Sequence, residues 1–184
     1  RLDTVLAGRP AIAVFGSGEP TPGDPAYAAA REAGERLAKA GVAVVTGGYG
    51  GVMEAASRGA REAGGLAIGV TVEAFGDRAR PNRWLTSEIP TPDLFVRTRT
   101  LIAATAGALV MSGKAGTLAE VSFLWALHRA RLVGDHLVVL VGEAWQPAFR
   151  ALCDAGIVAG RPMEYTRLVG DVQAGVALLL EKME

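Results

Sequence analysis

Three apolar runs in this chain end directly in glycine-bearing turns that lead into helix, and this pattern leaves few folds open. AIAVF at 11–15 meets Gly16-Ser17-Gly18, VAVV at 42–45 meets Thr46-Gly47-Gly48-Tyr49-Gly50-Gly51, and ALVM at 108–111 meets Ser112-Gly113-Lys114-Ala115-Gly116-Thr117. Runs this short and apolar, bounded by turn residues, read as strands buried on both faces. Segment 66–70 and LVVLV at 137–141 read the same way.

Helical spacing fills the intervals. Segment 27–40 is alanine-rich, with Ala33, Leu37 and Ala40 recurring on one side and Gly41 as the stop. Further helices are predicted from Val52 to about residue 63 and from Leu118 to about residue 130, with a short one at 145–155 and a last one at 171–182. Asp93 is placed to cap a helix carrying Leu94, Arg97, Leu101 and Ile102. Segment 165–168 reads as a further short strand. Segment 73–92, with Pro81, Pro90 and Pro92, reads as a long loop over one sheet edge.

Strands alternating with helices imply right-handed βαβ crossovers, and hence an α/β, Rossmann-like fold: a mostly parallel sheet with helices on both faces. Ligands of such sheets bind at the carboxyl ends of the strands, so the three turns are expected along one binding edge. The 184 residues fit a single domain.

Composition narrows the partners. Lys plus Arg equals Asp plus Glu at 19 each, so no global field draws the chain to nucleic acid or to an anionic membrane. An anion must be bound locally. No apolar stretch is long enough to span a bilayer, and Asp3, Arg9 and Pro10 break the pattern of a signal peptide. Cys153 is the only cysteine, which excludes an internal disulfide and fits a reducing, cytoplasmic setting; it is expected as a core thiol. His128 and His136 lack metal-ligand spacing and are expected to be solvated or capping.

The turns carry the chemistry. Gly47, Gly48, Gly50 and Gly51 let backbone approach a ligand, and the helix that follows offers unpaired N–H groups and a positive dipole end to a phosphate. The same glycines would equally serve a tight turn alone. In the third turn Gly113 and Gly116 bend the chain, Lys114 offers charge and Thr117 a hydroxyl. The Gly-Lys-Ser/Thr ending of a Walker A loop is missing, and no Gly-x-Gly-x-x-Gly follows the first strand. Glu120 lies one turn beyond Thr117, where it either faces the ligand or closes a Thr-x-x-Glu capping box. Arg97 and Arg99 are either surface charges or groups reaching over the sheet edge to an anion.

Together these motifs resemble the Lonely Guy (LOG) family of nucleotide phosphoribohydrolases, once called lysine decarboxylases, and the related molybdenum-cofactor carrier proteins. The resemblance covers most of the chain. Gly16-Ser17 stands at the family's early Gly-Ser turn, and Thr46 to Met53 stands at its Gly-Gly-Gly-x-x-Gly-Leu-Met turn. Ser112-Gly113-Lys114-Ala115-Gly116-Thr117-Leu118-Ala119-Glu120 is similar to its Pro-Gly-Gly-x-Gly-Thr-x-x-Glu signature, and Arg97, or Arg99 one register on, to its upstream arginine.

The resemblance implies hydrolysis of the N-glycosidic bond of a nucleoside 5'-monophosphate, AMP or a cytokinin-type nucleotide, with no metal and no cofactor. Glu120 would stabilise the developing oxocarbenium ion, Arg97 would position the substrate, and Gly116 with Thr117 would hold the phosphate. It also implies a homodimer formed through the helix from Leu118 to His128. The sequence departs from the signature at Ser112, at Lys114, and at Thr98, where the family has lysine after the arginine. A carrier that holds a nucleotide or pterin without turnover tolerates such departures. Lysine decarboxylation is rejected, because no lysine stands in a setting suited to pyridoxal phosphate.

Overall fold

The computed structural model describes residues 2–183. All seven strands lie parallel in one sheet of order β4-β3-β2-β1-β5-β6-β7. Its centre is β1 (Ala11–Phe15), flanked by β2 (Ala43–Thr46) and β5 (Gly107–Val110); β3 (Ala67–Val72), β4 (Ser87–Thr91), β6 (Leu137–Val141) and β7 (Thr166–Val169) extend it outward. The fold is the expected α/β, Rossmann-like one.

Alternation along the central strands divides the core in two. Ile12 and Val14 point to one face, covered by α2 (Pro25–Lys39), α3 (Val52–Glu62) and α8 (Val172–Glu181) through Leu37, Ala56 and Leu179. Ala13 and Phe15 point to the other, covered by α1 (Leu2–Leu6), α4 (Leu94–Ala103), α5 (Ala115–Arg129) and α6 (Trp145–Asp154) through Leu101, Leu124 and Trp145. Burying each such large side chain stabilises the fold by about 2 kcal/mol. A one-turn helix, α7 (Arg161–Glu164), precedes β7. Asp93 caps α4 by accepting from the Val96 N–H at 2.9 Å, as its position predicts.

Three expectations are corrected. Segment 73–92 contains a 3-10 stretch (Glu73–Arg78) and the strand β4, not loop throughout. β4 lies at the sheet edge and pairs only with β3, a position where Pro90 withdraws no necessary donor. His128 and His136 are both buried, with the His128 ring Nε2 at 2.8 Å from the His136 carbonyl and its face stacked on Tyr165. Cys153 is only partly buried, at the fringe of the α6 packing. Trp125 faces the core, where its indole N–H donates to the Thr166 hydroxyl at 3.0 Å.

The order in which strands are added reverses in this sheet between β1 and β5. From β1 the chain steps outward through β2 and β3, and from β5 it steps the other way through β6 and β7. Crossovers leaving to opposite sides open a crevice at the carboxyl ends of the two strands.

Candidate functional site

The three turns meet in that crevice and are bonded to one another. The Ser17 N–H donates to the Ser112 carbonyl at 3.1 Å, and the Ser17 carbonyl accepts from the Val52 N–H at 2.9 Å. Gly51, with φ of 67°, caps α3 against this junction; a Cβ there would strike the Ser17 carbonyl. Asn82 buttresses the second turn from outside, its side-chain amide donating to the Gly48 carbonyl at 3.1 Å and the Tyr49 carbonyl at 3.0 Å.

Between the turns lies a cavity of about 330 Å³, within the range of small-molecule sites. Gly16 and Ser17 of the first turn, Gly47 and Met53 of the second, and Lys114, Gly116, Thr117 and Glu120 of the third line it, with Arg97 reaching in from α4. Gly48, Gly50, Gly51 and Gly113 are not in its wall. Gly48 and Gly51, both at positive φ, shape the second turn, and Gly113 packs under the Thr117 side chain, whose atoms a Cβ would overlap.

Arg99 is elsewhere. Two residues along a helix are about 200° apart, so while Arg97 turns toward the sheet, Arg99 lies exposed in an apolar groove beside Phe95 and Phe123. Thr117 is not the helix cap either. α5 begins at Ala115 with Lys114 as its flanking residue, which puts the buried Thr117 inside the first turn and rules out the capping-box geometry.

Arg97 and Glu120 form the buried part of the site. The Arg97 Nε donates to the Val70 carbonyl at 2.9 Å, its Nη1 stands 3.5 Å from Glu120 Oε1, and its guanidinium lies 5.9 Å from the centre of the Tyr49 ring. Gly47 makes room for it: a Cβ on Gly47 would coincide with the guanidinium. Burial pushes the Glu120 carboxyl up to about 7, opposed by the charge of Arg97. Near neutral pH this group therefore exchanges a proton readily.

The rim carries a second pair. Lys114 reaches Glu19 at 2.5 Å rather than Glu120, and both side chains are largely exposed. Glu19, Gly18, Val14 and Phe15 also line the cavity and were not foreseen. Nothing local in the sequence marks Glu19, whose partner lies 95 residues away. Among the described residues no group of three or more His, Cys, Asp or Glu side chains could hold a metal ion. Among the described residues no helix is long and apolar enough to cross a membrane.

A parallel sheet whose switch-point crevice is walled by glycine turns, a buried arginine and a carboxylate defines a Rossmann-like protein with a small-molecule-sized cleft. The chain belongs to the SLOG cluster4 family, whose sequence model matches residues 9–144. No curated protein matches it in sequence. Among solved structures it is similar to the molybdenum cofactor carrier protein of Chlamydomonas reinhardtii, at 27% identity and a TM-score of 0.71 over 95% of this chain and 98% of that one. The molybdenum cofactor binding protein of the phototrophic bacterium Rippkaea orientalis aligns with a TM-score of 0.76 at 24% identity, covering 96% and 98%. DNA processing protein A of Helicobacter pylori, described for its single-stranded DNA binding mode, shares the fold at 16% identity and a TM-score of 0.61, covering 97% of this chain and 83% of that one. The kinship that the turns and signature suggested is thus shown, and the carriers stand among the structural neighbours.

Proposed function

We propose that this protein binds a phosphate-bearing small molecule, a nucleotide or a pterin cofactor, in the crevice between β1 and β5 and holds it without turnover. The observation that carries this reading is the composition of the cavity wall, in which Arg97 and the first turn of α5 converge while Arg97 also engages Glu120. A helix N-terminus with glycine-lined access and a nearby guanidinium suits a phosphate. The likeness to the Chlamydomonas carrier supports retention over hydrolysis, as do Ser112 and Lys114 in the signature.

Hydrolysis of a nucleoside 5'-monophosphate is the second reading, and one observation favours it. Glu120 stands in the cavity wall at the signature position, with its carboxyl raised to about 7, a value suited to proton transfer near neutrality. Titrating the protein with AMP, GMP and inorganic phosphate while assaying free base separates the two. Binding with no base released is expected. Base release abolished by Glu120→Gln would replace the carrier by the hydrolase, and no binding of any probe would end both.

The reading extends to a homodimer and a cytoplasmic setting. Leu94 and Phe95 of α4 and Phe123 of α5 are exposed along one groove; a second copy seated there would bury them beside the helices that supply Arg97 and Glu120. Cys153, free of any disulfide, suits a reducing compartment.

A further inference from the structure

Two cations and two carboxylates line the cavity, and they are already paired: Arg97 with Glu120 and Lys114 with Glu19. An incoming anion must therefore take a cation away from a carboxylate. The two pairs differ in how readily they part. Arg97 is 9% exposed and is held by the Val70 carbonyl as well as by Glu120, so its guanidinium is fixed from two sides. Lys114 and Glu19 are 72% and 68% exposed in their side chains, and among the described residues neither charged group has another hydrogen-bond partner. Water screens such a pair and takes up either member when it opens.

Position favours the same pair. Lys114 immediately precedes the first turn of α5, where the helix leaves N–H groups without intrahelical partners and an anion is stabilised by the dipole. Gly116, one residue into that turn, has open space where a side chain would stand. Glu19 rises from the neighbouring first turn, which the Ser17–Ser112 hydrogen bond fixes against the turn of Lys114. The ion pair thus links the first and third turns at the exposed rim of the cavity.

Resting on the reading that the cavity takes a phosphate-bearing ligand, we propose that Lys114 and Glu19 form an exchangeable latch that selects for a ligand bearing a phosphate. Lys114 gives up the Glu19 carboxylate for the ligand's phosphate, which carries more charge and more acceptor oxygens. A ligand without phosphate has nothing to offer Lys114, and the latch stays closed while it binds. Glu19 sets the threshold, since its carboxylate competes with every anion that approaches.

Calorimetric titration of the wild type, Glu19→Gln and Lys114→Gly with AMP and with adenosine tests this. Glu19→Gln is expected to tighten AMP by about threefold, the scale of an exposed ion pair, and to leave adenosine unchanged. The gain should shrink as salt is raised. Lys114→Gly should weaken AMP and narrow its advantage over adenosine. AMP binding that Glu19→Gln leaves unchanged or weakens would overturn the latch while the phosphate-ligand reading stood. AMP binding seen only in Glu19→Gln would support a latch that holds the wild type shut, and binding by neither protein would overturn both.

Discussion

Arg97 and Glu120 face each other across 3.5 Å in the cavity wall, each 9% exposed, one reaching from α4 and the other from α5. Desolvation outweighs the arginine's charge, so the folded protein holds a proton on Glu120 up to about pH 7, whereas the unfolded chain releases it in the ordinary carboxylate range. The associated stabilisation is complete in acid and is lost as the pH rises through about 7. Glu120→Gln should therefore raise Tm by a few degrees at about pH 8.5 and change it little at about pH 5, as read by calorimetry across that range.

His136 acts in the opposite sense. Burial, reinforced by the neighbouring His128, takes its ring down to about 4 from an ordinary 6.5, and His128 is lowered as well. Stability is full above the ordinary value and falls as acid is added, because the unfolded chain takes up protons that the folded core refuses. A Tm that declines between pH 6.5 and about pH 4 is expected, and His136→Gln should flatten this slope. An unchanged slope in the variant would remove His136 as its cause.

Gly47 and Gly51 should fail differently when changed to alanine. At Gly51 the new Cβ meets backbone of the first turn at φ of 67°, and a loss of about 1–3 kcal/mol in urea denaturation is expected. At Gly47 it meets the Arg97 guanidinium, a side chain able to move. Gly47→Ala should therefore cost less stability and instead weaken AMP binding by displacing Arg97.

The apolar side of α4 and α5 gives a prediction about assembly. Phe95 is 88% exposed, and Phe123 lies with it along one groove. Sedimentation should give a dimer for the wild type and a monomer for Phe95→Asp combined with Phe123→Asp. A monomeric wild type would remove the second copy from the proposal.

Sequence periodicity was most informative where burial was complete. The apolar runs of β1, β2, β3, β5 and β6 are buried along their length, so their pattern reports the sheet directly. β4, reading SEIPT, was illegible because an edge strand exposes alternate residues and tolerates proline. Thr117 and Glu120 were legible as site candidates because they share one stretch of chain with their glycines. Glu19 was not, since its meeting with Lys114 depends on β1 and β5 becoming neighbours across 95 residues. Arg97 and Arg99 were equivalent as letters and separated only when the sheet fixed which side of α4 faces inward. Charge balance argued against nucleic acid as a partner; the likeness to a single-stranded DNA binding protein at 16% identity concerns the fold.

The backbone N–H of Ser17 donates to Ser112 and its carbonyl accepts from Val52, which commits both ends of the residue to the neighbouring turns. The first turn is thus a keystone more than a hand: it sets the spacing of its neighbours, and grip passes to the start of α5 and the side chains around it. New selectivity could then be engineered at Glu19, Met53 or Lys114 without recutting the frame that carries them.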